Sequence, residues 1–157
     1  MGLEQTVNHQ VNGIKACNPA RMTDAVSTYC AASEAADIDA MMGTLAPDAE
    51  LVSPISGRMV FRGHDDLRIL LTAVYGSLNG LRWTEAVGQD HVRVAIAEAR
   101  VGPLRMTDAM VFDLGADGLI TRVRPHLRPW LALTLLAAML GPKVGRHPGL
   151  VRRALRG

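Results

Sequence analysis

Hydrophobic and polar residues alternate strictly along the segment LRMTDAMVFD, residues 104–113. Such alternation is typical of a strand that buries one face. Asp108 is the one residue that interrupts the apolar face. A carboxylate on an apolar face is costly unless it is paired, hydrogen-bonded or protonated. We therefore predict that this strand runs through the interior and that Asp108 faces a small-molecule pocket.

The part of the chain before this strand has hydrophobic residues at helical spacing. Apolar residues recur at intervals of three and four from Thr23 to Ala36 and from His64 to Tyr75, which predicts two helices. Asp37 is positioned to cap a short helix between them, which Pro47 would end. Period-two segments predict two short and four longer strands, at residues 50–53, 58–62, 81–87, 92–101, 104–114 and 119–127. Short turns between the longer strands predict an antiparallel meander, and helices beside such a sheet predict an α+β fold.

The end of the chain has a different pattern. The segment WLALTLLAAMLG, after Pro129, is apolar almost all round but shorter than the ~20 residues that span a bilayer. It predicts a helix that ends at Gly141–Pro142 and either covers the pocket, fills the core or contacts a second copy. We divide the chain into an irregular arm at residues 1–20, a main domain at residues 21–128, and an apolar helix with a basic tail at residues 129–157.

Charge is unevenly distributed, although the net charge is only +2. No acidic residue follows Asp117, whereas eight basic residues do. This asymmetry is compatible with a weak membrane-surface contact through the tail or with a solvated terminus. The basic residues lack interleaved aromatic residues, so we expect no nucleic-acid partner. The two cysteines form no disulfide framework, which favours a cytoplasmic protein.

Three segments resemble the nuclear transport factor 2-like superfamily, in the branch of ketosteroid isomerase, the SnoaL-like polyketide cyclases and limonene epoxide hydrolase. They are TYCAASEAADIDAMMGTLAPDAELVSP, FRGHDDL and TDAMVFDLGADGLI. The resemblance covers about residues 23–127. It implies that residues 21–128 form a cone-shaped, curved antiparallel sheet, also called cystatin-like, with helices on its concave side. It also implies a homodimer through the outer sheet face.

The resemblance assigns roles residue by residue. Tyr29 falls on the oxyanion-binding tyrosine of the isomerase, and Asp108 falls on its oxyanion-binding aspartic acid. The position of the general base, just before a proline, holds Ser53. Leu71 replaces a second tyrosine on the third helix. The isomerase pattern is therefore matched in its two proton donors and not in its base.

These observations predict a cofactor-independent enzyme that performs enolisation, isomerisation or cyclisation on a hydrophobic carbonyl compound, with Asp108 and Tyr29 as catalytic residues. No metal-ligand cluster or glycine-rich phosphate loop is present in the sequence, so we expect neither a metal nor a cofactor. The predicted ligand-binding residues are Ser53, Leu71, Trp83, Met106, Met110 and Phe112.

Two alternatives stay open. One is a non-catalytic module for binding a hydrophobic ligand or for dimerisation. The other is epoxide hydrolysis, although the last carboxylate of that Asp-Arg-Asp pattern would fall near Pro125. Glu98 and Arg100 lie on a neighbouring strand without a secure alignment. The alternation of side chains along the last predicted strand places His126 on the outer sheet face, away from the pocket.

Overall fold

The computed structural model describes residues 24–156, so the predicted arm at residues 1–20 lies outside the described residues. A curved sheet carries helices over its inner face. The elements are α1 (Ala25–Glu34), α2 (Ile38–Met42), β1 (Leu45–Val52), β2 (Val60–Arg62), α3 (Gly63–Tyr75), β3 (Asn79–Gln89), β4 (Val92–Val101), β5 (Leu104–Leu114), β6 (Ile120–Arg124), β7 (Leu127–Arg128), α4 (Trp130–Gly145) and α5 (Pro148–Arg156). The predicted α+β fold with a curved sheet and helices is confirmed, and the sheet is unclosed.

The strands lie in the order β2-β1-β6-β5-β4-β3, and β7 pairs with β5 beyond the end of β6. The predicted meander is confirmed, because β3 to β6 pair antiparallel in sequence order. One pair departs from the antiparallel pattern: β1 runs parallel to β6, with Leu51 opposite Val123. Parallel neighbours need a long crossover, and here α3 and the first three strands of the meander supply it.

Three prolines shift the predicted element bounds. The first strand begins at Leu45 and contains Pro47, instead of starting after it. Pro47 is tolerated because it lies in the irregular stretch of the β1–β6 pairing, where its missing N–H breaks no regular ladder. The predicted strand at residues 119–127 is split into β6 and β7 around Pro125, for the same lack of a donor.

The third proline lies in α4. The helix continues past the predicted end at Gly141–Pro142 and finishes at Gly145. Pro142 is exposed, so the carbonyl group that loses its helical partner can bond to water and the helix tolerates it. The predicted basic tail then forms the nine-residue helix α5.

Alternate residues of β5 are buried, as the sequence pattern predicted. Met106, Asp108, Met110 and Phe112 are buried, whereas the residues between them are partly exposed. Phe112 is fully buried and its ring meets that of Tyr29 edge-on, with the ring centroids 5.3 Å apart. The inner face of β5 therefore packs against α1 and forms the centre of the core.

The C-terminal helices are held to the domain by two polar contacts. Arg153 on α5 forms a two-pronged ion pair with the buried carboxylate of Asp66 on α3, with Nε donating to Oδ2 at 2.9 Å. Lys143 Nζ on α4 donates to Ser77 Oγ at 2.7 Å. Together with the buried residues Leu136 and Leu140, these contacts hold α4 and α5 against the domain.

We expect Phe112→Ala to lower the free energy of unfolding by about 3–5 kcal/mol, because it leaves a cavity in the core. Urea denaturation provides the measurement. Val111→Ala is the matched control, since Val111 is the preceding residue on the partly exposed face of β5. Equal losses in the two variants would contradict the assignment of faces.

Candidate functional site

A cavity of about 220 Å³ lies between the inner face of the sheet and helices α1, α3 and α4. Its wall is apolar apart from a few groups. The hydroxyl and carboxyl groups in the wall belong to Tyr29, Ser53, Tyr75 and Asp108. Among the described residues, Asp108 is the only acid that lines the cavity. An apolar cavity with a few convergent polar groups is the usual form of a small-molecule site.

Asp108 is positioned by β5 and by the break between β6 and β7. It lies opposite Ala97 on β4 and Leu127 on β7, and it is 7% exposed. His126 lies in the break, and its backbone N–H donates to Asp108 Oδ1 at 2.9 Å. The carbonyl of His126 accepts from the N–H of Ala109 at 3.2 Å, which holds the segment against β5.

Burial raises the pKa of Asp108 from 3.8 to about 6, and the hydrogen bond from His126 partly opposes this rise. Burial acts against the charged form, whereas the donated N–H stabilises it. The group is then about nine-tenths ionised at pH 7. Asp108 can therefore accept a proton near neutral pH and hold it reversibly.

Two tyrosines form a second polar group in the wall. The hydroxyls of Tyr29 on α1 and Tyr75 on α3 lie 3.1 Å apart, and either one can donate to the other. Burial raises the pKa of both phenols well above their usual range. Both side chains are therefore neutral at all physiological pH values, and the pair keeps one O–H available to a ligand.

Tyr75 was not identified from the sequence. The resemblance placed the second tyrosine position at Leu71, which lines the cavity as an apolar residue. Tyr75 lies one helical turn further along α3, and residues four apart share a helix face. The signal was present, because Leu67 and Leu71 begin an apolar stripe on α3 whose next member is Tyr75.

The structure brings most of the other predicted residues to the cavity wall: Ser53, Trp83, Met106 and Met110 line it together with Leu71. Phe112 does not line it. Its ring lies in the core against Tyr29 and Trp83, so the predicted contact with a ligand is not available to it. Alternation identifies the face on which a residue lies, but not whether the space above that face is cavity or core.

Three polar residues near the cavity do not provide an acid or a base in it. Ser53 Oγ accepts from the backbone N–H of Ile55 at 3.3 Å, and a hydroxyl without an activating partner is not a base at neutral pH. The side chain of His126 is exposed, as the alternation predicted, and the hydrogen bond from His126 to Asp108 comes from its backbone N–H. Glu98 is exposed on the opposite face of β4.

The curved, unclosed sheet, the helices over its inner face and the cavity between them define a nuclear transport factor 2-like cone. Within this class, the model of the SnoaL-like domain family matches residues 26–123. The chain therefore belongs to the SnoaL-like family, and the resemblance seen in the sequence is confirmed. Comparison with curated protein sequences gave no match.

Solved structures share the fold at low sequence identity. A bacterial protein of cystatin-like fold from Silicibacter pomeroyi has a TM-score of 0.76 at 18% identity, over 83% of this chain and 93% of that one. A steroid delta-isomerase from Pseudomonas aeruginosa has a TM-score of 0.71 at 19% identity, over 82% of this chain and 96% of that one. SalBIII, an epoxide hydrolase/cyclase-like enzyme of pyran ring formation in salinomycin, has a TM-score of 0.55 at 18% identity, over 66% of this chain and 88% of that one.

The raised pKa of Asp108 predicts a pH-dependent effect on stability. Below pH 4 the group is protonated in both the folded and the unfolded chain, whereas between pH 4 and 6 the unfolded chain ionises first. Its ionisation therefore destabilises the fold as pH rises, with the full effect above pH 6. We expect Asp108→Asn, which keeps an oxygen acceptor for His126, to gain on the order of 3 kcal/mol over wild type at pH 8 and little at pH 4.

Urea denaturation of both proteins at the two pH values measures this difference. The matched control is Asp113→Asn, on the outer face of β5, where the carboxylate pairs with Arg124 at 2.7 Å. That variant should show no gain at pH 8. An Asp108→Asn gain of the same size at pH 4 and pH 8 would show that ionisation of Asp108 does not oppose folding.

Proposed function

We propose that the protein catalyses proton transfer at the carbon beside a carbonyl group of a small apolar compound, without a cofactor. Enolisation of this kind underlies both isomerisation and cyclisation. One observation carries the proposal: an ionisable carboxylate, Asp108, and a hydrogen-bonded pair of tyrosines share the wall of a mostly apolar cavity.

Asp108 acts as the general base. A base works best when its pKa lies near the operating pH, and the value of about 6 meets this condition. The resemblance to the isomerase instead gave Asp108 the role of a protonated donor to the oxyanion. That role needs an aspartic acid whose pKa lies well above neutral pH, so that the carboxyl group keeps its proton. Because Asp108 is mostly ionised at pH 7, it suits proton abstraction better than donation.

The tyrosine pair stabilises the enolate. Asp108 takes the proton from the α-carbon, the C–H electrons form the new C=C bond, and the carbonyl π electrons move onto oxygen. That oxygen accepts a hydrogen bond from the free O–H of Tyr29 or Tyr75. Donors fixed in a dry cavity are worth more than donors in water, and they need no reorganisation during the reaction. In isomerisation, the enolate carbonyl re-forms as Asp108 returns its proton to another carbon of the conjugated system. In cyclisation, the enolate carbon attacks a second carbonyl of the compound, and Asp108 returns its proton to the alkoxide oxygen that results.

The walls favour a small apolar ligand. Met106, Met110, Leu71 and Trp83 line the same cavity as Asp108. The volume of about 220 Å³ lies below the roughly 300–1,000 Å³ of typical ligand pockets, which favours a compound of one or two rings. The structural neighbours support this chemistry by analogy, since one is a steroid isomerase and another acts in ring formation.

A binding module without catalysis is the second candidate. The observation that favours it is Ser53, an unactivated hydroxyl at the position where the isomerase pattern places its base. Epoxide hydrolysis has less support, because Glu98 and Arg100 are exposed on β4 and neither lines the cavity. A homodimer through the outer sheet face stays a prediction.

Deuterium exchange at the α-carbon tests the proposal without knowledge of the natural product. One- and two-ring ketones are incubated with the protein in D₂O, and NMR follows the loss of the α-proton signal. We expect catalysed exchange whose rate rises with pH through about 6 and levels above it. Asp108→Asn should lower the rate at least ~100-fold, and Tyr29→Phe should lower it roughly tenfold or more.

Asp113→Asn is again the control and should exchange at nearly the wild-type rate. Binding of 2-naphthol, followed by its fluorescence, runs in parallel. Binding with no exchange for any ketone would favour the non-catalytic module. Exchange that survives Asp108→Asn would show that another group is the base.

A further inference from the structure

The outer face of α4 is apolar, and no element within residues 24–156 covers it. Trp130 is 74% exposed, Leu131 is 49% exposed and Met139 is 36% exposed. No charged residue occurs from Trp130 to Pro142. The one hydroxyl on this face, that of Thr134, donates to the carbonyl of Trp130 at 2.9 Å, so its single O–H is already bonded within the helix. An exposed apolar surface of this kind marks an interaction site.

Positive charge flanks this face at both ends. Arg128 precedes Trp130 and is exposed, and Arg146 is exposed at the C-terminal cap of α4. Two further exposed arginines, Arg152 and Arg156, follow in α5. No acidic residue after Asp117 is present to neutralise them. The apolar face is therefore bordered by arginines that lack acidic neighbours in sequence.

We propose that the outer face of α4 docks onto an anionic lipid surface, with the helix lying in the plane of the interface. Apolar side chains would enter the headgroup boundary, a tryptophan would sit at headgroup depth, and the arginines would contact lipid phosphates. No helix within residues 24–156 is long and apolar enough to cross a bilayer. The contact is therefore peripheral.

A second copy of the chain fits this face less well. Two α4 helices packed antiparallel about a two-fold axis would place Arg128 of one copy beside Arg146 of the other. Like charges at close range destabilise such a contact unless acidic residues offset them, and the segment after Asp117 has none. Anionic lipid supplies the opposite charge.

Docking would also bring the cavity close to the lipid. The inner face of α4 contributes Leu133, Leu136 and Leu140 to the cavity wall. One helix, about 10 Å across, then separates the bound lipid surface from the cavity. The proposal does not rest on the proposed catalytic function, because it depends on the outer face of the helix alone.

Cosedimentation with vesicles tests the proposal on the full chain. We expect binding to vesicles of equal parts phosphatidylglycerol and phosphatidylcholine, at least tenfold weaker binding to phosphatidylcholine alone, and a marked loss at high salt. The double variant Trp130→Ser, Leu131→Gln should lose binding at least tenfold. Val87→Gln with Val92→Gln is the matched control, because these side chains are similarly exposed but lie on the sheet, and it should bind like wild type.

Fluorescence provides a second measurement. The chain has two tryptophans, so Trp83→Phe leaves Trp130 as the only one. We expect its emission to shift to the blue when anionic vesicles are added. Equal binding to neutral vesicles, or no shift of Trp130, would overturn the proposal. So would concentration-dependent self-association that disappears in the Trp130→Ser, Leu131→Gln variant without any vesicle binding, since this would show a second copy to be the partner.

Discussion

The hydrogen bond from the backbone N–H of His126 to Asp108 is the interaction on which the site depends. A carboxylate with 7% exposure needs a donor to keep its charge, and the surrounding side chains are mostly apolar. The donor is available because the sheet breaks between β6 and β7 at Pro125, so the N–H of His126 points to a side chain. The pKa of Asp108 is a balance between burial, which raises it, and the hydrogen bond and charge of His126, which lower it.

The polar groups of the cavity differ in their pKa values, and this difference gives them different roles. Asp108 has one backbone donor and a pKa near neutrality, whereas the phenols of Tyr29 and Tyr75 are held protonated by burial. A group that exchanges protons and a group that only donates hydrogen bonds are thus placed in one cavity. Such a pair of environments is how acid and base assignments arise in a single site. The proposed roles of base and hydrogen-bond donor follow from this difference.

Much of this could be predicted from the sequence, for physical reasons that differ between residues. Alternation with a single interrupting acid identified β5 and Asp108, because a charged group on a buried face is a strong local signal. Helical spacing puts Tyr75 on the same face of α3 as Leu71, but its role as a hydrogen-bonding group depends on contact with Tyr29, 46 residues away, which the spacing does not show. Phe112 lies on the predicted inner face but in the core beside the cavity, since periodicity does not distinguish core from cavity. The hydrogen bond from the backbone N–H of His126 could not be predicted, because nearly every residue type has this group and the sequence does not show where it points.

The most direct test of the central claim is the ionisation of Asp108 itself. Carbon-detected NMR of the aspartate carboxyl signals, assigned by comparison with Asp108→Asn, gives the midpoint of its titration. The account predicts a midpoint near pH 6 for Asp108. A midpoint near 4 would show that the carboxylate is not desolvated, and the assignment of Asp108 as a base matched to neutral pH would then be wrong.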